Sequence, residues 1–125
     1  MRSVYRILRK AYCKKPLSGE ESHRFGGRWS SPGVRLAYTA EYFSLAIIEY
    51  FVHIDSDDAP ADLVVVRADV PENVSRLSLS LAKLPGNWRA TPPPPELARM
   101  GDDFVRNRRA AILIVPSVLV STESN

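Results

Sequence analysis

The chain has 125 residues, 45% hydrophobic and 25% charged, with a formal net charge of +3, ten Pro and a single Cys. That is the size of one ordinary domain with a core of its own, and Cys13 alone excludes a disulfide framework or a cysteine-rich zinc site. No apolar run approaches the roughly 20 residues of a membrane helix, and residues 1–6 lack the apolar core of a secretory signal, so a soluble cytoplasmic protein is expected.

Residues 4–8 alternate weakly and read as a first strand, followed by a basic loop over 9–21. Phe25-Gly26-Gly27-Arg28-Trp29 runs into Ser30-Ser31-Pro32-Gly33, where Pro presets φ and Gly tolerates positive φ. With 34–38 read as a short strand, this predicts a hairpin carrying Arg28 on one arm and Tyr38 on the other. Thr39 is a good helix N-cap, with Glu41 in the first turn. Phe43, Ala46, Ile47, Tyr50, Phe51 and Ile54 then follow at helical spacing. The adjoining face, Tyr42, Leu45, Ala46, Glu49, Val52 and His53, is apolar around one carboxylate, so a core helix with Glu49 at least partly buried is expected.

An acidic loop over 55–62 leads to residues 63–70, rich in β-branched side chains and read as a buried strand. Residues 76–84 read mostly as loop, and 88–95 as loop or polyproline II, because serial prolines cannot donate backbone hydrogen bonds. Residues 96–109 read as a helix with Leu97, Met100, Phe104 and Val105 inward, and 111–115 as a further buried strand ended by Pro116. About five strands and two or three helices in this order define an α+β fold.

Charge is uneven: residues 1–54 carry nine Lys/Arg against four Asp/Glu, and 55–125 eight against ten. A basic front half suits an anionic partner, and it is equally an ordinary solvated surface. Glu49 also has two readings: it reaches solvent or pairs with a core Arg, or it is a site carboxylate held in a cleft. Arg28 follows two glycines that permit close approach, and its guanidinium can fork onto a phosphate or carboxylate. Arg24 and Arg6 are further candidates. Tyr38 is a core aromatic or a ring that stacks on a ligand, and Ser117 a site hydroxyl or a turn residue. There is no phosphate loop of the Walker or dinucleotide type and no serine-hydrolase elbow. His23 and His53 have no ligand-spaced neighbours, so no metal is expected.

The segments Gly26 to Gly33, Ala37-Tyr38-Thr39-Ala40-Glu41, Ala46-Ile47-Ile48-Glu49, Gly101-Asp102-Asp103-Phe104 and Val115-Pro116-Ser117, with Tyr5-Arg6 in the opening strand, together resemble the RES-domain family. Its members are the toxins of bacterial Xre–RES type II toxin–antitoxin systems. The match keeps order and spacing over nearly the whole chain, with Ser30 where the family commonly has Asn. The resemblance implies one RES-like domain over 1–125, with the family usually continuing past the position of Asn125 into another strand and a tail. It implies a fold similar to ADP-ribosyltransferase toxins, and cleavage of the nicotinamide–ribose bond of NAD, which is a substrate and not a cofactor. Carried over, Glu49, Arg28 and Tyr38 are the catalytic set, and Arg28, Tyr38, Ser117, Arg6, Arg24 and Trp29 bind substrate. The implied partners are a helix-turn-helix Xre antitoxin that occludes the NAD cleft and further copies of the toxin within the complex, with no direct nucleic-acid or membrane partner. Two other functions compete: an ADP-ribosyltransferase modifying a protein, and a non-catalytic basic module binding nucleic acid, for which no helix-turn-helix, OB or RRM signature is present.

Overall fold

A computed structural model describes residues 2–51 and 60–119. Strand β1 (Arg2–Arg9) pairs antiparallel with β2 (Leu63–Val70), Arg2 opposite Val70 and Arg9 opposite Leu63. Between them lie the helices α1 (Glu20–Phe25) and α2 (Phe43–Phe51). Strand β3 (Arg76–Ser78) pairs in parallel with β4 (Ile112–Ile114). A parallel pair needs a crossover, and α3 (Pro95–Asn107) supplies it. The described elements thus form two two-stranded sheets with three α-helices, as the α+β reading expects.

Two apolar clusters organise these elements. Trp29, Trp88, Leu97 and Val115 are buried together, with Leu36, Tyr38, Met100 and Leu113 packed around them. Ala40, Leu45 and Ala46 form the second, against Tyr5 and Ile7 of β1. The first cluster fixes α3 beneath residues 26–33; the second seats α2 on β1.

Several local expectations give way to longer-range contacts. Residues 34–38 form no strand, and the expected hairpin reduces to an isolated bridge between Gly27 and Ser30. The reason lies in α1, which occupies part of the stretch read as loop. Its buried Ser22 hydroxyl accepts from the Leu36 N–H at 3.0 Å and donates to the Leu36 carbonyl at 2.7 Å, taking the backbone groups a partner strand would use. Thr39 is not an N-cap: Ala40 exchanges two 2.8 Å backbone hydrogen bonds with Tyr5, so the chain stays extended there and α2 begins at Phe43.

The rotation of α2 also differs from the main apolar stripe. Leu45 and Ala46 face inward, whereas Phe43, Ile47, Ile48 and Phe51 are exposed. The adjoining face containing Glu49 is therefore the buried one, and the helix is not apolar-buried all round. Val52, His53 and Ile54 lie outside the described residues. Strand β2 is half-buried with alternate residues outward, β3 arises inside the stretch read as loop, and the described strands number four. Pro95 belongs to α3 rather than to the proline loop, because a first-turn residue needs no backbone N–H.

Gly101 marks the tightest approach. A Cβ placed there would lie 1.5 Å from the Trp29 carbonyl oxygen, so α3 meets backbone directly. Gly101→Ala is expected to destabilise the fold by about 2–4 kcal/mol, the upper range for overpacking. Chemical denaturation checks this, and an unchanged midpoint contradicts the close packing.

Candidate active site

The Gly26–Gly33 turn is clamped from two sides, by Tyr38 and by Asp102 of α3. Gly26 has φ +71°, the left-handed region that favours glycine. At Gly27 a Cβ would come within 2.7 Å of the Tyr38 hydroxyl. That hydroxyl accepts from the Trp29 N–H at 3.0 Å and shares a 2.8 Å hydrogen bond with the Ser30 hydroxyl. From α3, Asp102 accepts from the Ser31 N–H at 2.9 Å and from its hydroxyl at 2.6 Å. Burial raises the Tyr38 phenol above its ordinary value, while the hydrogen bonds from Ser30 and Trp29 oppose the shift.

Arg28 leaves this turn toward the segment 88–91. One terminal nitrogen, Nη1, donates to the Trp88 and Ala90 carbonyls, each at 2.9 Å. Desolvation lowers its pKa, and the nearby Glu49 and Tyr38 oppose that effect. The guanidinium is thus held by neutral acceptors yet remains within the electrostatic reach of Glu49.

Glu49 projects from the inward face of α2 onto a cleft of about 310 Å³, at the small end of ligand-pocket volumes. Its carboxylate Oε1 accepts a 2.6 Å hydrogen bond from the Ser117 hydroxyl, which is buried just past β4. Among the described residues no cation lies within ion-pair distance of Glu49. Arg6 enters the same cleft from β1 and donates to the Tyr38 carbonyl at 2.7 Å. Burial pushes the Arg6 guanidinium down, with Glu21 opposing.

The structure therefore brings Glu49, Arg6 and Tyr38 onto one cleft, with Ser117 behind the carboxylate and Arg28 one residue beyond the cleft-lining Gly27. Two candidates lie elsewhere. Arg24 is exposed and ion-paired to Glu20 at 2.9 Å, and Trp29 is a buried core residue. Sequence reasoning missed Glu21, Phe25 and Tyr50 in the cleft wall. Glu21 carried one signal, the Ser18-x-x-Glu21 spacing of a capping box, although the helix is entered through Gly19 without a side-chain cap.

A larger cavity of about 710 Å³ is lined by residues of β1 to β4, α3 and the 35–39 segment; of the candidates Trp29 and Tyr38 border it, whereas Glu49, Arg6 and Arg28 do not. Volume alone does not make chemistry, so the smaller cleft is the candidate active site. The described residues hold no group of three or more His, Cys, Asp or Glu side chains suited to a metal.

The profile of the RES domain family matches residues 3–125. The chain is similar to the protein named Toxin Res of Photorhabdus laumondii, 32% identical over 122 residues that cover 98% of this chain and 78% of the relative. Toxin Res of Pseudomonas putida is 36% identical, over 95% of this chain and 81% of that protein. A Sphingobium protein named Prs ADP-ribosylating toxin is 35% identical, over 98% and 79% respectively. The chain belongs to the RES domain family. The ADP-ribosyltransferase-like fold expected from the sequence goes with that membership, and its α+β content agrees.

Tyr38→Phe tests the clamp. Removing the hydroxyl leaves the Trp29 N–H without its acceptor, for an expected loss of about 1–3 kcal/mol. Because the folded protein holds the Tyr38 proton more tightly than the unfolded chain, its contribution is complete below pH 10.0 and is lost as pH rises through the raised value. Unfolding midpoints on both sides of that pH should fall less steeply on the alkaline side in Tyr38→Phe. Tyr50, also shifted upward, is common to both proteins. Parallel alkaline slopes would contradict the assignment.

Proposed function

We propose that the chain is the toxin of a toxin–antitoxin pair and that it cleaves the bond between nicotinamide and ribose in NAD. The observation that carries this reading is the Glu49 carboxylate, oriented by Ser117 on a half-buried cleft and in ion-pair contact with no described cation. Cleavage of that glycosidic bond passes through an oxocarbenium-like ribose, and a preorganised anion beside it lowers the barrier. A partly desolvated cleft strengthens the interaction relative to water.

The bonds and charges follow simply. The electron pair of the C1′–N bond leaves with nicotinamide, which departs as a neutral ring and needs no general acid. Water or phosphate then adds to C1′; water gives one proton to the solvent and yields ADP-ribose, and phosphate yields the phosphate ester of ADP-ribose. Arg6 holds the negatively charged diphosphate side, and the Arg28 guanidinium, one residue beyond the cleft-lining Gly27, adds positive potential from behind the Gly-rich turn. Tyr38 fixes the Gly-rich turn against which the nicotinamide end packs. In this reading NAD is consumed as a substrate and is not a recycled cofactor.

The partner in this reading is an Xre-type helix-turn-helix antitoxin whose end occupies the cleft, in a cytoplasmic complex that holds more than one toxin copy. The likeness to a protein named an ADP-ribosylating toxin favours a second acceptor class, a protein nucleophile in place of water or phosphate.

With purified protein and NAD, the expected result is release of nicotinamide, with ADP-ribose or its phosphate ester as co-product. Glu49→Gln should lower this by about a hundredfold or more while leaving the thermal melt in place. Undiminished turnover in that variant overturns the role of Glu49. Label from adenine-labelled NAD recovered on a protein would select the transferase acceptor, and label confined to small products would reject it.

A further inference from the structure

Besides Arg6 and Glu49, the cleft carries a third charged side chain, Glu21 of α1, which the proposed reaction does not use. Its Oε1 stands 3.6 Å from Arg6 Nη2, beyond hydrogen-bond range, with the Glu21 side chain 38% exposed and that of Arg6 13% exposed. Arg6 meanwhile is under-satisfied. Nη1 has the Tyr38 carbonyl, but Nε is buried without a hydrogen-bond partner.

Nε and Nη2 form one edge of the guanidinium, the edge that grips an oxyanion with two parallel hydrogen bonds. In this structure one end of that edge has no partner and the other faces a loosely placed carboxylate. A buried donor without an acceptor is costly, so this arrangement stores an unmet demand for oxygen atoms. Glu21 meets the charge of Arg6 without meeting its geometry. As a half-exposed side chain on a six-residue surface helix, it can rotate toward solvent when a better anion arrives.

We infer that Glu21 is an exchangeable counter-ion: it holds the place on Arg6 that a diphosphate group of the ligand takes, and by competing for that place it weakens binding. The identity of the ligand as a nucleoside diphosphate rests on the NAD reading above; the exchange itself rests on the Arg6 edge. With Glu21 and Glu49 against one Arg6, the cleft-lining charges alone sum to a single negative charge, which repels an incoming diphosphate. Glu21 thereby favours ligands that offer two phosphate oxygens to the Nε–Nη2 edge over those that offer charge alone.

The test is calorimetric titration with ADP-ribose and, separately, inorganic pyrophosphate, using wild type, Glu21→Gln, Arg6→Lys and the double variant. Glu21→Gln should bind both ligands about three- to fivefold more tightly, the scale of a partly exposed ion pair. The gain should shrink as salt rises. Arg6→Lys keeps a cation but lacks the two-donor edge, so it should weaken binding, and in that background the Glu21→Gln gain should fall by at least half. Equal or weaker binding by Glu21→Gln overturns the inference, as does a gain that persists in full with Lys at position 6. Absence of measurable binding in every protein also overturns it. The readout requires no turnover, so the two ideas fail separately. A wild type that releases no nicotinamide but shows the gain refutes the proposed reaction alone; one that releases it without the gain refutes the exchange alone.

Discussion

Among the described residues a hydroxyl, and not a cation, contacts the central carboxylate of this protein. Ser117 donates to Glu49 Oε1 at 2.6 Å across 68 residues of chain, joining the segment after β4 to the inward face of α2. The choice of partner has electrostatic consequences. A guanidinium in contact would cancel most of the field that Glu49 projects into the cleft, whereas a neutral donor orients the carboxylate and leaves its charge available. The nearest arginine of the Gly-rich turn is diverted accordingly, since Arg28 is held on the Trp88 and Ala90 carbonyls. The rotation of α2, set by its packing on β1, is compatible with this contact. Leu45 and Ala46 pack on β1, Glu49 faces the cleft, and a row of large apolar side chains turns outward.

The second half of the site is a backbone held from outside. The Tyr38 hydroxyl grips Trp29 and Ser30, Asp102 grips Ser31, and Gly101 lets α3 come up against the Trp29 carbonyl. Each contact is modest alone. Together they remove the freedom that a turn rich in glycine otherwise has, and they give the Gly-Asp pair of α3 a physical purpose. Arg6 joins the two halves, since its bond to the Tyr38 carbonyl links β1 to this scaffold.

Elements with strong local patterning were legible in the sequence. The β-branched run of β2, the amphipathic period of α3 and the short apolar β4 emerge close to where their residues predict, and a partly buried Glu49 follows from its greasy neighbours. What was illegible depended on partners distant in the chain. Residues 34–38 have strand composition, but Ser22 satisfies Leu36. Thr39 has the chemistry of a cap, but Ala40 is already bonded to Tyr5. On α2 the apolar residues cover nearly every face, so periodicity could not choose the buried side; packing on β1 did. Arg28 lies 60 residues from the carbonyl of Trp88 that holds it, and nothing near either residue announces the contact. Glu21 escaped notice for a similar reason, because only the folded arrangement shows it opposite Arg6.

The central claim is that Glu49 recognises developing positive charge on ribose and not the ground-state ligand. Its most direct measurement compares two ligands in wild type and Glu49→Gln: ADP-ribose, and an analogue carrying a protonated pyrrolidine in place of the ribose that bears nicotinamide. Complementarity to the transition state predicts that the variant loses affinity for the cationic analogue by at least about tenfold more than for ADP-ribose. Equal losses for both ligands, or none for the cation, would contradict the account.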